Sequence, residues 1–275
     1  MVTAFGHLRP REMDIGQPCA ARVYDAFLEG NHNFGVEREF ATRVEAKLPG
    51  ITEVYRESRA FLHRTIECLI DRGIHQFLDL GSGIPTIGSV HEVARRRTDQ
   101  FRVLYVENEP LTVAHSQTLL TDEPRARIIN ADVRQLDAVI GAPEVQNWLD
   151  FEQPVALVMS SLLHFIPDDD DPWSLVRQYE HILVPGSYLV LSHVTASDDP
   201  ASATRLCELY DETTDPLLAR DVIRIESLFD GFEALSPGLV YLADWRPDPQ
   251  GPHALARYRV LYGGVGRKPD QLNVE

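Results

Sequence analysis

The sequence has few of the residues that mark secreted, metal-binding or membrane-spanning proteins. Only 3 of its 275 residues are cysteines, and they form neither a metal-type spacing nor a disulfide framework. This scarcity indicates a reducing compartment. No run of about 20 apolar residues is present, so we predict no membrane-spanning segment. The opening MVTAFGHLRPREMD lacks the apolar core of a signal peptide, and we therefore expect a cytoplasmic protein.

Positive charge is also scarce. The chain has 26 Lys and Arg residues against 42 Asp and Glu residues, a formal net charge of -16. Proteins that bind duplex nucleic acid usually carry a basic patch, so this balance argues against a nucleic-acid partner and favours a small molecule. The acidic run from Asp168 to Asp171 has no companion cluster, and we interpret it as a solvated loop that caps the next helix. No metal site is predicted.

Helical and strand-like segments alternate from about residue 53 onwards. Residues 53–72 carry apolar side chains at three- and four-residue steps, which predicts a helix. Apolar strand-like runs follow, separated by helical patterns, in FLDL, VLYVE, RIIN, ALVMS and YLVLSHV. This alternation predicts parallel strands with helical crossovers, in a sheet covered on both faces. The predicted fold class is α/β, a Rossmann-like, doubly wound and mostly parallel sheet.

The remaining segments predict how the chain is divided. Residues 1–52 are expected to form a polar tail and a helical lid, with helices at 19–28 and around 40–48. Residues 53–275 then form the Rossmann-like domain, which makes one compact unit with the lid. A helix is predicted from about residue 86 to residue 97, and residues 201–235 have helical patterns. PGLVYLADW and ALARYRVLYGGVGR predict a closing antiparallel pair at one sheet edge.

Ligands of doubly wound sheets bind beyond the carboxyl ends of the strands, where the strand order reverses. The first predicted strand ends in Asp79 and leads into Gly81, Ser82 and Gly83. Two glycines permit a tight turn and a close approach of the backbone to a ligand. The start of the next helix adds unpaired N–H groups. A plain tight turn is the alternative interpretation.

Acidic residues follow the next two strands. Glu107 ends the second strand, and its carboxylate can accept two hydrogen bonds from the diol of a ribose. Asp132 ends the third strand and can bind the exocyclic amine of an adenine, while Val133 covers the ring face. The alternatives are a solvated loop acid at Glu107 and a helix cap at Asp132.

The fourth strand ends at Ser160 and leads to His164, where the other end of a ligand would lie. His193 follows the fifth strand in the same way. Each histidine is either a satisfied hydrogen-bonding residue or a general base, and His164 is the first candidate for the base.

The identity of the nucleoside cofactor is inferred partly by elimination. A dinucleotide fingerprint needs a third glycine where this chain has Thr86, and a P-loop needs GKS or GKT. The remaining set of a glycine turn, two acids and a final antiparallel strand resembles the class I S-adenosylmethionine-dependent methyltransferases. In that family DLGSG is the cofactor loop, and YVEN, with Glu107 and Asn108, and NADV match the ribose and adenine motifs.

The resemblance is closer to one bacterial subgroup, long catalogued as a domain of unknown function. It rests on ARVYDAFLEGNHNF at 21–34, RAFLHR at 59–64, FLDLGSGIPT at 77–86, VLYVENEP at 103–110 and ADVR at 131–134. It covers roughly residues 10–265. Two positions depart from the wider family, because Pro85 replaces a third glycine and Glu107 stands where aspartate is commoner.

The resemblance implies that the N-terminal helices fold over the cofactor. Tyr24, Asn33 and Phe34 would then line or cover the pocket, and Arg59 would pair with the methionyl carboxylate. Exclusion of water and in-line placement of the nucleophile would favour methyl transfer.

We therefore expect an S-adenosylmethionine-dependent methyltransferase that acts on a small-molecule acceptor, with His164 as candidate base. A cofactor-binding sensor or scaffold without transferase activity is the alternative, and its acceptor side would be occluded or apolar. A nucleotide-linked dehydrogenase is a third hypothesis, which predicts binding of NAD. The sequence indicates neither the acceptor nor the oligomeric state.

Overall fold

The computed structural model describes residues 14–86, 88–248 and 258–270, so the predicted N-terminal tail lies almost wholly outside the described residues. The strands are β1 (Gln76–Leu80), β2 (Arg102–Glu107), β3 (Ala126–Asn130), β4 (Ala156–Ser160), β5 (Tyr188–Val194), β6 (Glu233–Ala234), β7 (Val240–Tyr241) and β8 (Leu261–Arg267). The helices are α1 (Ala20–Phe27), α2 (Gly35–Lys47), α3 (Thr52–Ile70), α4 (Val90–Arg97), α5 (Pro110–Leu119), α6 (Leu136–Ile140), α7 (Pro143–Gln146), α8 (Pro172–Ile182), α9 (Pro200–Tyr210) and α10 (Val222–Glu226). Short 3₁₀ helices cover Leu163–Phe165, Asp168–Asp170, Ser227–Phe229 and Leu242–Asp244.

The strands form one mixed sheet in the order β3-β2-β1-β4-β5-β8-β6, and β7 also pairs with β8. Strands β1 to β5 are parallel, and β8 runs antiparallel to β5. The order reverses between β1 and β4, which is the position where such sheets bind ligands. The prediction of a Rossmann-like, doubly wound sheet is confirmed. Every residue of β1 and β5 is buried, as expected for strands covered on both faces.

Two details of the predicted organisation are wrong. Only 200–210 and 222–226 are α-helical in the predicted helical region 201–235, because turns, a 3₁₀ helix and β6 occupy the rest. The helix predicted from residue 86 begins at Val90, since Gly88 has a positive φ and Ser89 is the N-cap. By contrast, the predicted closing antiparallel pair at one sheet edge is confirmed, because β8 pairs antiparallel with β5 and β7 pairs antiparallel with the other side of β8.

The N-terminal helices share a hydrophobic core with the end of the sheet. Val23 and Phe27 of α1 pack in one cluster with Val194 at the end of β5 and with Leu206 and Tyr210 of α9. The buried residues of α1 recur on one face, which is the pattern of an amphipathic helix. None of the helices in the described parts of the chain is long and apolar enough to cross a membrane.

A buried arginine joins three helices. Arg22 of α1 forms ion pairs with Glu37 of α2 through Nε (2.8 Å) and with Glu109, the N-cap of α5, through Nη1 (2.9 Å). The side chains of all three residues are almost completely buried. A buried charge is tolerated only when it is paired, so this triad fixes the lid helices against the sheet domain.

The triad predicts a large loss of stability in an Arg22→Met variant, because two buried carboxylates lose their partner. We expect the free energy of unfolding, measured by urea titration, to fall by about 3–5 kcal/mol. The control is Arg43→Met, which removes a half-exposed ion pair with Glu212 and should cost less than about 1 kcal/mol. Equal losses in the two variants would contradict the role of the triad.

Candidate active site

A cavity of about 910 Å³ lies at the carboxyl ends of the parallel strands. Its lining includes residues at or just beyond the ends of β1 to β5, namely Gly81, Glu107, Asp132, Ser160 and Val194. Twelve of the fourteen site residues predicted from the sequence line it: Tyr24, Arg59, Asp79, Gly81, Ser82, Gly83, Glu107, Asn108, Asp132, Val133, Ser160 and His164.

The glycine turn after β1 has a conformation that favours glycine. Gly81 has a φ of +65° and Gly83 a φ of +59°, where an L-residue is strained. The N–H groups of Gly81 and Ser82 donate to the carbonyl of Val106 in β2, at 2.8 and 3.2 Å. A Cβ atom at Gly81 would lie 2.4 Å from Leu162 Cδ1. The backbone of the turn at Gly81 therefore packs closely against the side chain of Leu162, which also lines the cavity.

The carboxylate of Glu107 holds this turn in place. It is buried and accepts backbone N–H groups from Gly83 (3.0 Å), Asn108 (2.8 Å) and Glu109 (3.0 Å). Burial raises the pKa of Glu107, and the three hydrogen bonds oppose this shift. A carboxylate has about four acceptor sites, so it can still accept a ligand hydroxyl.

The end of β3 carries a second anchored carboxylate. Arg134 donates to both oxygens of Asp132, with its Nη2 atom 2.6 Å from Oδ2, and its Nη1 atom pairs with Asp170. The pairing fixes the orientation of Asp132 at the cavity. Val133 is buried beside it, as expected for a residue that covers one face of a flat ligand.

Arg59 of α3 has an unsatisfied donor at the cavity. Its Nε atom is buried and has no hydrogen-bond partner, and its guanidinium lies 5.1 Å from the ring centre of Tyr24. Burial raises the pKa of Asp79 to about 7, the charge of Arg59 opposes the shift, and Glu107 adds to it. Buried donors are normally satisfied, so the arginine is suited to an anionic ligand group.

Two predicted residues, Asn33 and Phe34, are not among those that line the cavity. The Asn33 amide donates to Asp25 and to the Gly30 carbonyl, both at 2.8 Å, and so closes the turn after α1. Phe34 is the N-cap of α2, and its ring lies 5.7 Å from the guanidinium of Arg22. The motif predicted to cover the pocket thus contributes Ala21, Tyr24 and Asp25 to the lining, and Asn33 and Phe34 stabilise the N-terminal helices.

Beyond the end of β4, the cavity reaches His164, which is 4% exposed. Burial, together with the nearby His193 and Arg220, lowers the pKa of His164 well below its usual value. His164 is therefore neutral at physiological pH, and its Nδ1 atom has no hydrogen-bond partner. His193 does not line the cavity. Its Nε2 atom accepts a hydrogen bond from Arg220 Nη1 (2.6 Å).

Sequence reasoning missed several lining residues. Tyr55 comes from α3, Tyr210 from α9, and Asp215 and Leu217 from the loop after α9. The two tyrosine hydroxyls lie 2.8 Å apart although 155 residues separate them in the chain. No short motif could have revealed this pair. Within residues 14–86, 88–248 and 258–270, no group of three or more His, Cys, Asp or Glu side chains is arranged to hold a metal ion.

Comparison with known proteins decides the family. A family described as S-adenosyl methyltransferase matches residues 6–269, nearly the whole chain. The chain belongs to this family. It is therefore an S-adenosylmethionine-dependent methyltransferase rather than a dehydrogenase. Among curated proteins, no match is found.

Two solved structures resemble this methyltransferase along its length. A candidate methyltransferase from Thermobifida fusca YX is 35% identical, with a TM-score of 0.86, over 93% of this chain and 97% of that one. A DUF574 family protein from Streptomyces avermitilis MA-4680 is 32% identical, with a TM-score of 0.88, over 94% and 100%. The methyltransferase SibL, 16% identical with a TM-score of 0.52, shares the fold.

The cavity of this methyltransferase fits S-adenosylmethionine. The glycine turn leaves room for close approach, the buried Glu107 carboxylate suits a diol, and the free Nε of Arg59 suits a carboxylate. When bound, the cofactor supplies a methyl group on an electrophilic sulfonium.

The glycine turn predicts that a single methyl group impairs cofactor binding. In Gly81→Ala, the side chain displaces Leu162 into the cavity, and we expect calorimetry to show S-adenosylmethionine affinity reduced about tenfold or more, equivalent to 1.4 kcal/mol. Gly50→Ala is the matched control, since Gly50 also has a positive φ (+93°) but nothing within 4 Å of the added atom. Similar affinity losses in both variants would mean that backbone strain alone is responsible.

The raised pKa of Asp79 predicts that cofactor binding depends on pH. S-adenosylmethionine carries a net positive charge and should bind the ionised carboxylate better. With a pKa of about 7, ionised Asp79 is about tenfold more abundant at pH 8 than at pH 6, so affinity should fall by up to about tenfold as pH decreases. In the free protein the same group favours folding at low pH, and that contribution is lost as pH rises through 7.

The Asp79→Asn variant isolates this effect. Calorimetry at pH 6, 7 and 8 should show a flatter profile for the variant than for the natural protein. Two buffers of different ionisation enthalpy should also reveal proton release on binding in the natural protein alone. An unchanged pH profile in Asp79→Asn would assign the dependence to another group.

Proposed function

We propose that this methyltransferase transfers the methyl group of S-adenosylmethionine to a small-molecule acceptor bound beside His164. The observation that carries the proposal is the extent of the cavity. It continues from the glycine turn past Ser160 to His164, and its 910 Å³ is near the upper end of ligand pockets. That volume supports a second ligand next to the cofactor and argues against an occluded acceptor side. The apolar side chains on that side are common to the enzyme and the sensor, so the transfer assay below separates the two functions.

The cofactor-binding roles follow the strand ends. Glu107 accepts hydrogen bonds from the ribose, Asp132 accepts the adenine amine, and Val133 covers the adenine face. Arg59 pairs with the methionyl carboxylate, an assignment supported by its unsatisfied Nε atom. The remaining contacts at the cofactor come from Tyr24, Asp79, Gly81, Ser82, Gly83, Asn108 and Ser160, all of which line the cavity.

A small acceptor is supported by the enclosure and the charge of the cavity. Helix α1 contributes Ala20, Ala21 and Tyr24 to the lining and so acts as a lid. We assign residues 1–52 to the tail and lid and residues 53–275 to the Rossmann-like domain. The carboxylates of the lining outnumber its two arginines: Asp25, Asp79, Glu107, Asp132, Glu144 and Asp215 stand against Arg59 and Arg134. This balance suits a cationic cofactor and disfavours a polyanionic acceptor.

His164 is the catalytic candidate on the acceptor side. Because its pKa is lowered, its ring remains unprotonated at pH 7 and can take part in a hydrogen bond with the acceptor. Removal of an aligned hydrogen-bonding or proton-transfer group typically costs about 10²–10⁴-fold in rate.

The test is a transfer assay with methyl-labelled S-adenosylmethionine and a bacterial extract separated into small molecules, protein and RNA. We expect label in the small-molecule fraction, a reduced rate with His164→Gln, and no transfer with Gly81→Arg, which blocks the cofactor turn. Label in protein or RNA would reject the small acceptor. Cofactor binding without any transfer would favour the sensor.

A further inference from the structure

The acceptor side of the cavity has walls that differ from those of the cofactor side. We call this part the acceptor lobe, and its lining is largely aromatic and aliphatic. It comprises Tyr55, His164, Phe165, Leu206, Tyr210 and Leu217. The carboxylates that follow β1, β2 and β3 lie at the other end. The lobe therefore favours an apolar body over a charged one.

Aromatic rings form a continuous arc around the lobe. The rings of Tyr24 and Tyr55 lie 5.7 Å apart, and the Tyr55 and Tyr210 hydroxyls are in contact. Tyr210 lies 5.9 Å from Phe165, which packs 4.4 Å from His164. Stacked and edge-to-face arrangements at such spacings favour a flat aromatic ligand.

The arc offers few free polar groups. Tyr55 and Tyr210 satisfy each other, and burial raises the pKa of both hydroxyls, so neither is ionised at neutral pH. His164 is buried, yet its Nδ1 atom has no partner. A buried polar atom without a partner is uncommon and costs free energy. The lobe therefore suits a ligand with one group that hydrogen-bonds to a neutral imidazole.

A positive charge lies behind His164. Arg220, whose side chain is 3% exposed, donates to His193 and forms an ion pair with Asp168 (2.7 Å). Arg224 pairs with the same Asp168 carboxylate (2.9 Å). The charge of Arg220 acts on the His164 ring, where it disfavours the protonated form and so lowers the pKa. The same charge favours an oxygen that becomes negative at this end of the lobe and disfavours an ammonium group.

We propose that the acceptor lobe binds a flat aromatic molecule with a hydroxyl group and that the methyl group is transferred to the hydroxyl oxygen. This inference rests on the methyl transfer proposed above and specifies its acceptor. The aromatic ring of the acceptor packs against the arc of aromatic side chains. The oxygen lies against His164, within the field of Arg220.

The step is balanced without any further reactant. The hydroxyl proton leaves to solvent, and the neutral His164 ring donates its N–H to the resulting oxyanion. The bond from oxygen to the methyl carbon forms as the bond from sulfur to that carbon breaks. The products are an aryl methyl ether, S-adenosylhomocysteine with a neutral thioether sulfur, and one proton.

The ring of His164 faces titratable groups from several elements. His193 on β5 and Arg220 beyond it both disfavour its protonated form. Tyr210 on α9 remains a neutral hydroxyl. The Asp215 carboxylate is held by the backbone N–H at the start of α1 (2.9 Å). Arg220 and Asp215 therefore act in opposite directions at the acceptor oxygen, and the Arg220 variants below measure the contribution of the arginine.

The first test compares three probes in the protein loaded with S-adenosylhomocysteine: naphthol, naphthylmethylamine substituted at the same ring position, and unsubstituted naphthalene. Calorimetry should show naphthol binding at least about tenfold more tightly than the other two, because naphthalene has no group for His164 and the charge of Arg220 disfavours an ammonium. Equal or reversed preference, or no saturable naphthol binding, overturns the inference. Binding of S-adenosylhomocysteine itself is measured first, and its absence would instead overturn the proposed methyl transfer.

The second test reads the ionisation of bound naphthol from the absorption of naphtholate. In the natural protein, bound naphthol should ionise at a pH about one unit lower than free naphthol. Arg220→Lys should retain this shift, and Arg220→Gln should lose it while still binding S-adenosylhomocysteine. An unshifted pKa of naphthol in the natural protein overturns the inference without recourse to variants. Mass spectrometry of the naphthyl methyl ether formed with S-adenosylmethionine completes the test.

Discussion

The buried carboxylate of Glu107 constrains both the sheet and the ligand site. It accepts N–H groups from the glycine turn after β1 and from the two residues after β2, so it joins the ends of these two neighbouring strands. Without it, the partly buried N–H of Gly83 would lose its hydrogen-bond partner in the turn. The same carboxylate faces the cavity, so the group that fixes the turn also presents acceptor sites to a ligand.

The parts of this fold that the sequence predicts are those encoded locally. Five apolar strands, each followed by a turn and a helical pattern, suffice for the parallel sheet, and DLGSG suffices for the turn. The region after residue 200 was predicted less well, because its short elements depend on contacts with β8 rather than on periodicity. In the same way, helix α4 begins at Val90 because Gly88 has a positive φ that interrupts the helical pattern.

In the site, too, the residues encoded by local sequence were predicted and those that depend on distant contacts were not. Residues at strand ends could be predicted because parallel strands bring them to one edge. Asn33 and Phe34 could not be separated from the lining residues, since a motif does not reveal which side chains face inward. Glycine is required at position 30 of that motif, because a Cβ atom there would lie 2.0 Å from the Asp25 side chain. The pairing of Tyr55 with Tyr210 depends on two distant helices and leaves no local signal.

The charges along the cavity are arranged in the order that the proposed reaction requires. Carboxylates surround the cofactor end, where a cation must bind, and the buried Arg220 lies behind the acceptor end, where its charge acts on His164. Methyl transfer to an anionic oxygen neutralises a sulfonium and an oxyanion together. A cavity with little water favours such a charge-cancelling step, because the reactants lose more from poor solvation than the transition state does. In the proposed reaction, the helices held by Arg22 would therefore raise the rate by keeping water out of the cavity that α1 lines.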